Sequence, residues 1–192
     1  MHHFFAYLSR MKFIQRWGLM RNTRSENIQE HSLEVAMIAH ALAIIKNRFF
    51  RGQVDPERVM ALAVFHEVSE VITGDLATPI KYFNPEIENA YHKIEKVAKK
   101  KLINMLPRDL QDDYENLLFV QQEDWQNWRL VKAADKISAY LKCVEELKGG
   151  NQEFSKALKT IKVELDRLDL PEAAYFMKHF LPSYSLTLDE LN

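Results

Sequence analysis

The chain has 192 residues, of which 47% are hydrophobic, and a formal net charge of -1. A chain of this length buries about 70% of its unfolded surface, so residues 1–192 are expected to form one domain without covalent staples. The near-zero charge excludes the broad basic surface that a nucleic acid polymer or an acidic membrane would require.

Cys143 is the single cysteine, which rules out an intrachain disulfide and points to a reducing, cytoplasmic setting. No apolar run approaches the roughly 20 residues of a bilayer span, and Met1–Arg10 lacks the order of a signal peptide.

Apolar residues recur at spacings of three and four almost throughout, which predicts an all-α fold of about seven to nine helices. The first helix is expected over about 2–14, followed by a loop around Trp17, Gly18 and Asn22. Ser25 or Asn27 can cap a second helix over about 28–47, with Val35, Ile38, Leu42 and Ile45 as its stripe. Asp55-Pro56-Glu57 opens a third helix, predicted to run unbroken to Thr73-Gly74. Residues 74–84 read as a loop, because Pro79 disfavours helix at Thr78.

Asn84-Pro85-Glu86 repeats the cap-and-proline start and opens a fourth helix to about 105. Pro107 starts a shorter fifth, and a sixth runs about 125–148 before Gly149-Gly150. Two more helices follow over about 152–168 and 171–180, and the tail from Pro182 reads as loop. No strand alternation stands out.

Three positions break the apolar pattern in an informative way. His66 follows Leu62 by four and Val59 by seven, so it lies on the buried stripe of the third helix. Glu67 is its neighbour, and Glu70 is expected one turn on, on the same face. His31 precedes Val35 by four, and Asp135 lies midway between Val131 and Ala139, so both also point inward. Buried carboxylates are costly unless they are paired or bind a metal. Imidazoles and carboxylates together suit Mn, Co, Fe or Zn. A single inward histidine is more often a hydrogen-bonded core residue, so only the combination carries weight.

The segments Glu30-His31-Ser32, Phe65-His66-Glu67-Val68-Ser69-Glu70, Thr73-Gly74-Asp75, Thr78-Pro79-Ile80-Lys81 and Lys132-Ala133-Ala134-Asp135 resemble the successive motifs of HD-domain phosphohydrolases. More narrowly they resemble the bacterial YfbR-like 5'-deoxynucleotidases, and the likeness covers nearly the whole chain. The resemblance implies an HD-domain helical bundle holding one divalent transition metal on His31, His66, Glu67 and Asp135. It implies hydrolysis of 5'-deoxynucleoside monophosphates, with Glu70 as general acid/base and Asp75 beside the water or the leaving oxygen. Arg16 and Lys81 would clamp the phosphate, Trp17 would crowd a ribose 2'-hydroxyl, and the Thr78–Lys81 loop would close the site. A homodimer is also implied.

One position departs from the family pattern: the His-Asp pair is His66-Glu67, one methylene longer. That departure supports two rivals, a weakly active relative and a nucleotide-binding module. Another HD-type hydrolase, of cyclic nucleotides, triphosphates or guanosine polyphosphates, is the third, although no extra domain for a larger substrate is evident.

Overall fold

A computed structural model describes residues 1–192 and is all-α. Seven helices of nine residues or more carry the architecture, namely α2 (Ile28–Phe49), α3 (Pro56–Val64), α6 (Pro85–Ile103), α7 (Arg108–Leu118), α8 (Trp125–Lys148), α9 (Ser155–Arg167) and α10 (Pro171–His179). Three short turns of helix lie between or before them: α1 (Phe4–Leu8), α4 (Glu70–Thr73) and α5 (Thr78–Lys81). The capping chemistry explains the boundaries. Asn27, Asp55 and Asn84 accept from the first free N–H groups of α2, α3 and α6. Proline occupies the first turn of α3, α6 and α10, where its missing N–H costs nothing.

The centre of the fold is α2, which lies against α3 and α8. Val35, Leu42 and Ala39 of α2 meet Val59 and Leu62 of α3 and Leu130, Ala134 and Ile137 of α8 in the main core. A smaller core joins Phe4 and Met11 to Ile28, Val68, Leu102 and Leu118. Helix α2 supplies Ile28 to this core and Val35 to the main one, and His31 lies between them. Truncating a fully buried leucine such as Leu42 or Leu62 to alanine costs about 2–5 kcal/mol.

Four expectations need correction. The first helix is only Phe4–Leu8, and Ser9–Phe13 tightens into a 3-10 turn. The third helix ends at Val64 rather than running to Thr73. Beyond it, His66 N–H bonds the Ala63 carbonyl at 3.4 Å, Val68 N–H bonds Phe65 at 3.4 Å and Glu70 N–H bonds Glu67 at 2.9 Å. The His66 Nδ1 also sits 2.7 Å from the Ala63 carbonyl, the oxygen an α-helix would offer to the N–H of Glu67. The side chain therefore displaces the helical bond, and Glu70 is not one α-helical turn beyond His66; it opens α4. Thr78 is helical despite Pro79, because Pro79 falls in the first turn of α5, where no N–H is needed. The tail is not plain loop: it forms two 3-10 turns, the second closed by a Thr187–Glu190 capping box.

Candidate metal centre and its surroundings

The break after Val64 turns the His66-Glu67 pair towards α2 and α8. His31, in the first turns of α2, is 0% exposed. Its Nε2 lies 3.1 Å from Asp135 Oδ1 and 3.7 Å from Glu67 Oε2. The His66 Nε2 lies 3.7 Å from Glu67 Oε1. One donor atom from each of His31, His66, Glu67 and Asp135 lies within 4.8 Å of every other. The extra methylene of Glu67 thus does not remove its carboxylate from the cluster.

This donor set fits a divalent transition metal. The His66 Nε2 and Glu67 Oε2 are buried and have no hydrogen-bond partner. Buried polar atoms without partners are rare, and two facing one point mark a position for a ligand. The His66 Nδ1 is fixed on the Ala63 carbonyl, so that nitrogen carries the proton and Nε2 offers its lone pair.

Charge accounts for the rest of the site. Burial alone would lower the pKa of His31, and Arg16 lowers it further, yet Glu67, Asp135 and Glu26 raise it to about 9. Burial pushes His66 the other way, to about 4. Burial, helped by Glu67 and Asp75, raises the Glu70 carboxyl to about 9 against the pull of Arg16 and Lys81. Asp75 is raised in the same sense, again mainly by burial. Burial and the crowded carboxylates thus favour the protonated form of Glu70, and the carboxylates favour that of His31.

Arg16 is buried beside this cluster. Its Nη1 contacts Glu26 Oε2 at 3.2 Å and His31 Nδ1 at 2.6 Å. Trp17 follows in a left-handed backbone conformation, with φ at 59°. The Trp17 indole N–H donates to Glu26 at 2.9 Å and its ring leans on Phe154. Lys81 sits over the Tyr91 ring at 4.5 Å and reaches Glu95 at 3.4 Å. Thr78, Pro79 and Ile80 are exposed. The structure therefore gathers Arg16, Glu70, Asp75 and Lys81 around the cluster, while residues 78–80 remain at the surface.

Three residues of this site were missed by sequence reasoning. Glu26 ties Arg16, Trp17 and His31 together, and those hydrogen bonds and charges outweigh its burial to hold it at about 2. It sits in a loop, where no periodicity flags it. Ser138 contacts His31 Nδ1 and Glu34 contacts Ser138, and their signal was present: each lies three residues after a ligand-type residue on its own helix.

The geometry has clear relatives. The sequence model of one protein family, described as 5'-deoxynucleotidase YfbR-like, matches residues 3–184. The chain belongs to the YfbR-like 5'-deoxynucleotidase family. A 5'-deoxynucleotidase of Vibrio cholerae serotype O1 is 55% identical over 190 residues, covering 99% of this chain and 98% of that one. A 5'-deoxynucleotidase of Yersinia pestis (strain Pestoides F) is 56% identical over 192 residues, covering 100% and 98%. Among solved structures, an HD-domain phosphohydrolase of Listeria innocua superposes with a TM-score of 0.83 at 22% identity, over 95% of this chain and 88% of the other. A cyanophage S-2L HD phosphohydrolase bound to dA and one catalytic Zn2+ superposes with a TM-score of 0.68 at 21% identity, over 95% and 96%. Both structural matches establish the HD-domain fold of this YfbR-like chain.

Proposed function

We propose that this chain is a metal-dependent phosphomonoesterase that converts 5'-deoxynucleoside monophosphates to deoxynucleosides and phosphate. The observation that carries the reading is the convergence of His31, His66, Glu67 and Asp135, with two of their buried polar atoms unpartnered. The 5'-deoxynucleotidase relatives supply the substrate class, and the cyanophage enzyme's dA and Zn2+ support a nucleoside beside one metal.

His31, His66, Glu67 and Asp135 would hold the ion, whether Co, Mn, Fe or Zn. When bound, the ion supplies neutralisation of phosphate charge and a water of lowered pKa. Arg16 offers a planar two-pronged donor and Lys81 a point charge, so both bind and orient the phosphate. Glu70 is the acid/base group: burial raises its carboxyl towards the protonated form, which can donate to the leaving 5'-oxygen. Asp75 lies on the same side and assists by orienting a water or the leaving group. The Trp17 ring, held by Glu26 and Phe154, presents a rigid face that crowds a ribose 2'-hydroxyl. Thr78, Pro79 and Ile80 line the mouth and close over the nucleoside.

The deciding experiment measures phosphate release from paired deoxy- and ribonucleoside 5'-monophosphates, with Mn, Co, Mg or Zn and with chelator. Deoxynucleotide-selective, chelator-sensitive release is expected. Equal release from both sugars, or none under any metal, would overturn the assignment.

We read residues 1–192 as one domain, since both cores lean on α2. A cytoplasmic location follows from the lone buried thiol of Cys143, and no helix is long and apolar enough to cross a membrane. The partner in catalysis is a small-molecule deoxynucleotide. A homodimer is expected from the family, with exposed Leu33, Met37 and Met60 offering apolar surface to a second copy; light scattering would test it.

A further inference from the structure

His31 can serve a metal through Nε2 only if its proton resides on Nδ1. The two nitrogens meet opposite demands. Nε2 faces Asp135 and Glu67. Nδ1 lies 3.0 Å from the Ser138 hydroxyl and 2.6 Å from Arg16 Nη1, with Glu26 Oε1 farther off at 3.6 Å, beyond hydrogen-bond reach. Arginine only donates, so its contact asks Nδ1 to be an acceptor and places the proton on Nε2, the wrong nitrogen for a ligand. Ser138 alone is neutral on the question, because a hydroxyl both donates and accepts.

Glu34 resolves it. Its carboxylate accepts the Ser138 hydroxyl hydrogen bond at 2.5 Å, which commits the hydroxyl hydrogen to Glu34. The oxygen then presents only lone pairs to His31, so Nδ1 must donate and Nε2 is left bare. Ser138 is 0% exposed, on α8 one turn past Asp135, and Glu34 is on α2 one turn past His31. The same two helices therefore supply the ligands and the groups behind them. The arrangement parallels the Ala63 carbonyl behind His66.

We propose that Ser138 and Glu34 form a positioning relay that holds His31 as its Nδ1–H tautomer, presenting Nε2 to the metal and denying Nδ1 to Arg16. The denied arginine keeps Glu26 as an anchor at 3.2 Å and is free to turn a second N–H to phosphate. The inference rests on the metal reading given above. It goes further by assigning roles to two residues that touch neither metal nor substrate.

The test strips the full-length protein of metal and measures Zn2+ affinity by isothermal titration for the wild type, E34A, E34Q and S138A. Thermal melts show that each variant is folded. E34A frees the serine hydrogen to turn onto Nδ1 and favour the wrong tautomer, and S138A removes the relay. Both should weaken Zn2+ binding by about 10–100-fold, the usual cost of losing a group behind a metal-bound histidine. E34Q retains an acceptor oxygen and should stay within about threefold of wild type. Nitrogen-15 spectra of the Zn2+-loaded wild type should show His31 protonated at Nδ1. If E34A and S138A, both folded, bind Zn2+ as tightly as wild type, the relay is wrong and the metal site stands. If the wild type takes up no metal, the metal reading falls, and the relay with it.

Discussion

The loop that carries Arg16 and Trp17 is moored to α8 by a buried carboxylate, and removing that carboxylate is a severe test of how the site is held. Glu146 is 1% exposed. It accepts from the Thr23 N–H and hydroxyl at 2.8 Å each, from Asn151 at 2.8 Å and from the Arg24 N–H at 3.3 Å. It also pairs with the buried ammonium of Lys142. Breaking a buried pair from one side costs about 3–5 kcal/mol, because the remaining charge is stranded. Lys142 keeps the Arg24 carbonyl at 2.5 Å, which places E146A near the lower end, about 3 kcal/mol. For a chain of this size that is a fall in Tm of roughly 6–12 °C.

E146Q retains one acceptor oxygen for Thr23 and should lose roughly half as much. Below the melting transition, function reports the same loosening: KM should rise more than kcat falls, since Arg16 and Trp17 are no longer held while the metal cluster is untouched. The sign of the pH effect follows from the same contacts. Burial alone would raise the Glu146 carboxyl, yet Lys142, Thr23 and Asn151 hold it well below the usual carboxylate range. Its contribution is therefore present above the ordinary carboxylate pKa and is lost as pH falls towards the depressed folded value. Thermal melts from neutral to acid pH should converge for wild type and E146A. An E146A protein melting within about 2 °C of wild type at neutral pH would refute the anchoring argument.

Three further outcomes are expected. E70A should abolish phosphate release while Zn2+ uptake stays within about threefold, since Glu70 is outside the donor cluster; retained turnover removes Glu70 from the chemistry. E67D keeps the charge but withdraws it by one methylene, so metal should still bind with a changed order of preference among Mn, Co and Zn; an unchanged order, measured by competitive titration, would show that Glu67 is not a ligand. Saturating Zn2+ joins α2, the turn after α3 and α8 through one ion, so at 100 times Kd it should stabilise the fold by about 2.7 kcal/mol, or roughly 5–11 °C in Tm, and chelator should reverse the shift.

What the sequence revealed and what it hid divide along a physical line. Helical periodicity is a repeating signal, and it exposed His31 through Val35 and Asp135 through Val131 and Ala139. The cap-and-proline starts at Asp55-Pro56 and Asn84-Pro85 fixed two helix beginnings to the residue. The break after Val64 was invisible, because it depends on a histidine side chain taking a carbonyl from the backbone, and nothing in the spacing of apolar residues changes there. Glu26 escaped for a related reason: its partners Arg16, Trp17 and His31 meet it only once the loop folds back on α2. Ser138 and Glu34 are one helical turn from residues already singled out, so the rule that neighbours at i+3 share a face would have reached them.

The break and the crowding of acids belong to one design. Had α3 continued through Ser69, the Glu67 N–H would have bound the Ala63 carbonyl, and His66 Nδ1 would have had to find another acceptor. Giving up that helical bond fixes the His66 tautomer and aims Nε2 at Asp135 and Glu67. The same turn brings Glu67 within 4.8 Å of Asp135, both partly shielded from water, where two carboxylates repel unless a cation lies between them. A protonated His31 can serve that purpose, but an imidazolium has no lone pair for a metal, so a divalent ion would have to supply that charge in its stead. A site built for a divalent ion gains from both features: enough acid to reward the ion, and one base able to carry positive charge beside it.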